Sequence, residues 1–117
     1  MLRANVVRTE ALPGAVLQRH GIEAGPERAL LNVVVVSHKA GATKSIRARV
    51  HAQLEVLTGQ DLDIEMKPVV EDGGISYVGV FSIPPRASAI RFTVRAQPEQ
   101  GDLLTLEFTE QSLTPSR

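Results

Sequence analysis

Three histidines and a short acidic run are the residues of this chain whose types could do chemistry. His20, His38 and His51 are its only histidines, and Asp61, Asp63 and Glu65 alternate along one stretch. Imidazole and carboxylate together are the ligand set of a zinc or transition-metal site, provided that they converge in space. Carboxylates in a cluster also suit calcium, although calcium is more often wrapped by a loop that adds backbone carbonyls. The same acids are the only cluster that could serve as general acid and base. The spacing argues against each use. No two histidines stand at the short intervals of a metal motif, and Asp61, Asp63 and Glu65 are spaced as neighbours on one strand face. The simpler reading is three separate surface histidines and a solvated acidic face neutralised by Arg47, Arg49 or Lys67. His20 would then act on a helix C-terminus, where a cation is favoured.

Other chemical signatures are missing. There is no cysteine, which excludes disulfides, thiolate metal sites and thiol nucleophiles. Gly73-Gly74 lacks the spacing of a phosphate loop. Ser76 lies between Gly74 and Gly79, one residue too wide for a nucleophile elbow. No motif implies a cofactor. Lys39, Lys44, Arg47 and Arg49 form a local basic patch, but thirteen basic residues balance thirteen acidic ones. A neutral chain has no long-range attraction for nucleic acid or anionic lipid. Aromatic residues are 3% of the chain, three Phe and one Tyr, too few for base stacking. The longest apolar run, Val33 to Val36, is too short to span a membrane. No signal peptide is read in this chain.

What must position these residues is a set of strands. Ile46, Ala48, Val50, Ala52, Leu54 and Val56 alternate with Arg47, Arg49, His51, Gln53 and Glu55. Successive strand residues point to opposite faces, so the apolar set faces a core and the polar set faces water. The pattern returns in Leu62, Ile64 and Met66, in Ile90, Phe92, Val94 and Ala96, and in Leu104, Leu106 and Phe108. Leu30 to Val36 is apolar on both faces apart from Asn32, which predicts a central strand. Asn32, if buried, needs a hydrogen bond, for which a backbone partner is expected. From Ile75 to Ile83, Tyr77 and Phe81 share one face and Val78 and Val80 the other, and Gly79 predicts a bulge or a close backbone approach.

Turn residues separate the strands: Thr58-Gly59-Gln60, Asp72-Gly73-Gly74, Pro84-Pro85 and Gly101-Asp102. Both strands flanking Thr58-Gly59-Gln60 have polar residues at odd numbers, so direct pairing needs an odd-numbered loop. Pro68 is expected to end a strand or to lie on an edge. Pro13 suits a helix start and Gly21 the residue past its end, predicting about two turns between them. Residues 1–117 thus read as one all-β domain, an immunoglobulin-like β-sandwich of about seven strands with one short N-terminal helix.

The run from His20 to Phe108 resembles the bacterial family called domain of unknown function 4426. The matching pieces are Gly21-Ile22, Arg28-Ala29-Leu30-Leu31-Asn32-Val33, Leu57-Thr58-Gly59-Gln60 and Ile75-Ser76-Tyr77-Val78-Gly79-Val80-Phe81. After them come Ile90-Arg91-Phe92-Thr93-Val94, Gln97-Pro98 and Leu104-Thr105-Leu106-Glu107-Phe108. They follow the family's order at about its spacing. The strand near Ala4 to Arg8 lacks the aromatic residues that the resemblance implies there. The resemblance implies small exported proteins, a β-sandwich and a periplasmic address, and no activity. The expectation is therefore a non-enzymatic binding or accessory module, meeting another protein through a strand edge or its loops. The alternative is a small-ligand or metal-binding protein using the loops at one end of the sandwich. An enzyme is the reading that these residues support least.

Overall fold

In the computed structural model the described residues are 1–19, 21–23, 25, 28–39, 41–56, 61–83, 89–99 and 101–111. They form strands β1 (Leu2–Arg8), β2 (Arg28–Lys39), β3 (Ala42–Ser45), β4 (Ala48–Val56) and β5 (Asp61–Ile64). Next come β6 (Lys67–Glu71), β7 (Gly74–Ser82), β8 (Ala89–Pro98) and β9 (Leu104–Gln111). One helix, α1 (Gly14–Arg19), follows β1 after a single 3-10 turn. All pairings are antiparallel. One sheet runs β1-β2-β7-β6, with β3 paired to the far end of β2, and the other runs β5-β4-β8-β9. The result is an all-β sandwich.

Among the described residues nine strands stand where the pattern predicts about seven. The additional pair are β3 and β6. Ala42-Thr43-Lys44-Ser45 has no apolar alternation and forms only as the return arm of a hairpin with β2. Pro68 hides β6 by reading as a stop, yet it lies within this edge strand, opposite Tyr77. An edge is the place where a strand tolerates a residue with no N–H. β4 begins at Ala48, two residues later than the alternation suggests, because Ile46 donates its N–H to the Val35 carbonyl of the other sheet.

The inward residues match the alternation closely. Leu31 and Val33 from β2, Ala52 and Leu54 from β4, Tyr77 and Phe81 from β7, and Ile90, Phe92 and Val94 from β8 form one buried cluster. Phe92 lies at its centre. Its ring stacks on Phe108 of the neighbouring strand at 5.0 Å and meets Phe81 of the opposite sheet edge-on at 5.4 Å. All three phenylalanines of the chain thus form one contact chain across the sandwich. Leu62 departs from the pattern. It is 49% exposed, because β5 is an edge strand with β4 on one side only. Asn32 also departs: it lies on the outer face of its sheet and donates to the side chain of Asn5, 3.1 Å away, not to backbone.

The turns behave as their residues dictate. Asp72 and Gly73 both have positive φ, at 51° and 77°, and join β6 to β7 as a two-residue hairpin. Gly21 has φ 64°, and the N–H groups of Gly21 and Ile22 reach back to the carbonyls of Gln18 and Leu17. That pair of bonds is a Schellman cap. β4 and β5 pair odd residue to odd residue, Gln53 against Asp63, as the polar alternation requires. The turns at Thr58-Gly59-Gln60 and Pro84-Pro85 lie outside the described residues.

Gly79 is a close approach. A Cβ there would stand 2.6 Å from both Ile64 Cγ2 and Met66 Sδ, and 2.8 Å from the Glu65 carbonyl oxygen. Ile64 to Met66 is where the chain passes from one sheet to the other, and it crosses directly over the gap that Gly79 leaves. Gly79→Ala is expected to cost about 1–3 kcal/mol by overpacking. Gly14→Ala, with nothing within 4 Å of its Cβ, leaves stability unchanged or slightly higher. Phe92→Ala is expected to cost about 3–5 kcal/mol. Urea unfolding of the three variants checks this order.

Candidate functional site

His38 and His51, the two described histidines, do not come together. His38 stands exposed near the end of β2, its Nδ1 3.0 Å from Thr43 Oγ1 across the β2–β3 hairpin. His51 lies on the outward face of β4, in the other sheet. His20 lies outside the described residues. Of the acids, Asp61 and Asp63 share the outer face of β5 with their neighbours on β4. Glu65 lies beyond the end of β5, on the crossing segment.

His51 and Asp63 do meet. His51 Nε2 is 3.6 Å from Asp63 Oδ1, and Gln53 Nε2 donates to the same oxygen at 3.0 Å. Both partners of the His51–Asp63 pair are more than half exposed, so water screens it. Asp61 stands opposite Glu55, a like charge, and Glu55 in turn stands opposite Arg91. Arg91 pairs with Glu107 on β9 at 3.1 Å. The face is therefore a mixed lattice of charges spread over four strands. His51 and Gln53, beside Asp63, stand in the place expected for Arg47, Arg49 or Lys67. Register decides this. Arg49 is opposite Gln97, at the other end of β4, and Lys67 belongs to the other sheet. Among the described residues no group of three His, Cys, Asp or Glu side chains is placed to hold a metal ion.

A cleft that the sequence did not announce lies at the opposite end of β4. The two sheets part there and leave an open groove of about 680 Å³. Its floor is Val50, Met66, Tyr77 and Pro98, and its exposed rim carries Pro68, Arg47, Arg49, Gln97 and Glu99. Ala48 and Val50 occupy inward positions of β4, yet both are only half-buried, because the opposite sheet covers them in part only. No inward residue at this end is as large as Phe92 or Leu54: β8 passes from Phe92 to Val94, Ala96 and Pro98, and β4 from Leu54 to Ala52, Val50 and Ala48. Small side chains cannot fill the space between two sheets that pack about 10 Å apart.

Tyr77 spans the gap. Its ring is buried in the core, and its Oη accepts the N–H of Ala48 across the sandwich at 2.9 Å. Gln97 turns back on its own hairpin, where its amide donates to the carbonyls of Pro98 and Gly101. Neither Arg47 nor Arg49 forms an ion pair with a described residue. The basic patch of the sequence is thus divided: Arg47 and Arg49 rim the cleft, Lys44 lies on β3, and the Lys39 side chain lies outside the described residues.

The signal for the cleft was present but of low contrast. Alanine at an inward position reads as apolar like any other, and only the facing sheet shows that the space beside it is empty.

Comparison with known proteins gives one family. The family model described as domain of unknown function, DUF4426, matches residues 2–114. The solved structure of a DUF4426 family protein from Pseudomonas aeruginosa PAO1 is similar, with a TM-score of 0.79 and 24% identity. The likeness covers 99% of this chain and 89% of that one, and it supports the fold alone. No curated protein matches the chain. No helix among the described residues is long and apolar enough to cross a membrane.

The Tyr77 contact has a measurable worth. Tyr77→Phe removes the acceptor of the Ala48 N–H while keeping the ring. It is expected to cost about 0.5–1.5 kcal/mol in denaturant unfolding. Amide exchange at Ala48 is expected to speed up, with Leu54 and Phe92 unaffected.

Proposed function

The chain belongs to the DUF4426 family, and from that premise we propose that it is a non-enzymatic binding module of the periplasm whose binding site is the open end of the sandwich. The observation that carries this reading is the cleft itself. It joins an apolar floor to a polar rim at a volume typical of binding pockets. The lining offers no nucleophile beside a base. Glu99 is its one carboxylate among the described residues, and none of these is Ser, Cys or His. The periplasmic address is supported by the resemblance to small exported proteins.

Strand edges serve a partner less well. β5 is four residues long and carries Asp61 and Asp63, and β6 carries Pro68 between Lys67 and the rest of the strand. Short, charged and proline-bearing edges resist pairing with a further strand. Of the other edge strands, β1 and β9 lie beside each other and so partly cover one another, and β3 is four residues long and carries Lys44. The open end is the surface that no such feature guards.

The test uses the full-length precursor, tagged and expressed in its native host. Osmotic shock is expected to release the protein with the periplasmic fraction, and retention in the cytoplasm overturns the address. A photo-crosslinking amino acid in place of Val50 is expected to give a discrete adduct. The same residue at Thr105, on the outer face of β9, is expected to give none. Equal capture from both positions, or none from Val50, overturns the cleft as the site.

A further inference from the structure

Resting on the cleft as the binding site, we propose that its ligand is a small amphiphile, an alkyl or similarly apolar body with an anionic head, held with the head at Arg47 and Arg49. The floor of the cleft is the unfinished end of the core. Val50 and Met66 pack against the buried cluster on one side and are half-exposed on the other. An apolar body laid there continues the core and removes that surface from water.

The rim selects the head. Its polar groups are mostly donors. Arg47 and Arg49 have no ion pair with a described residue, and Tyr77, having accepted the Ala48 N–H, keeps its own O–H to give. Gln97 has its amide hydrogens engaged within its hairpin. Two guanidinium groups against Glu99, the one carboxylate among the described lining residues, leave a local excess of positive charge on a chain whose net charge is zero. Guanidinium forks match the oxygens of a carboxylate or a phosphate equally in geometry. A volume of about 680 Å³ suits a molecule of drug-like size, whereas a protein partner needs a broader surface.

Four probes of one chain length test this: dodecanoate, dodecyl phosphate, dodecanol and dodecylammonium, each kept below its micellar concentration. Binding is followed by amide shifts in the nitrogen-15 spectrum of the wild-type chain. Both anions are expected to shift Val50, Tyr77 and Gln97 saturably, with dodecylammonium at least tenfold weaker. Whichever anion binds more tightly identifies the head as carboxylate or phosphate. Arg47→Ala with Arg49→Ala is expected to abolish the preference for anions. Val50→Trp, which fills the groove, is expected to abolish binding of all four, its fold being checked by unchanged amide shifts around Phe92. Equal binding of anion and cation, or an anion preference that survives loss of both arginines, overturns the anionic class and leaves the cleft as a binding site. Absence of any saturable shift in the cleft overturns the amphiphile altogether, and capture from Val50 in the precursor then decides the cleft independently.

Discussion

The ring of Phe92 has no exposure to solvent and touches aromatic rings of both sheets, and the rest of the sandwich is arranged around that contact. A chain with three phenylalanines and no tryptophan has few ways to fill the space between two sheets. It spends all three in one place. Phe81 comes from one sheet, Phe108 from the edge of the other, and Phe92 joins them. Aromatic side chains bury more surface than any others and lock mutual geometry through edge and stacked contacts. Around this cluster, Leu, Val and Ile suffice to complete the core.

The same economy leaves the other end open. Beyond Val94 the inward residues of β8 are Ala96 and Pro98, and beyond Ala52 those of β4 are Val50 and Ala48. The one remaining aromatic residue, Tyr77, bridges the sheets there with a hydrogen bond and does not fill the gap. The two ends of the sandwich therefore differ in kind. One is filled by the three phenylalanine rings. The other is a groove with an apolar floor and a cationic rim, bridged by the hydrogen bond from Ala48 to Tyr77. A cavity of that sort is costly unless something occupies it or the residues lining it remain hydrated, and here the rim keeps it open to water.

Passage between the sheets imposes a second constraint. The chain crosses at Glu65 and Met66, over Gly79, and no side chain larger than hydrogen leaves room for that crossing. The crossing closes one flank of the sandwich, and β1 against β9 narrows the other. The charged outer face of the β5-β4-β8-β9 sheet then keeps its strands hydrated. Arg91 with Glu107, and His51 with Asp63, are exposed pairs that contribute little to stability but break up runs of like charge.

Strand identity, facing and most turns were legible in the sequence, because alternation has a period of two and a pleated strand has the same period. Ile90 to Ala96, Tyr77 with Phe81, the Asp72-Gly73 turn, the Gly21 cap and the close approach at Gly79 all follow from local residue types. β3 and β6 were not legible. One has no apolar alternation, and the other contains a proline that only an edge position excuses. The site was less legible than the fold. The candidates that attract attention in a sequence, His20, His38, His51, Asp61, Asp63 and Glu65, are polar residues whose meaning depends on what faces them. Register across β4 and β5 sets His51 beside Asp63 and keeps His38 in the other sheet. The cleft depends on a property that no single strand possesses, the distance between two sheets measured against the size of the side chains between them. Periodicity along the chain decided which residues face inward; only the packing of one sheet on the other decided where those residues fail to meet.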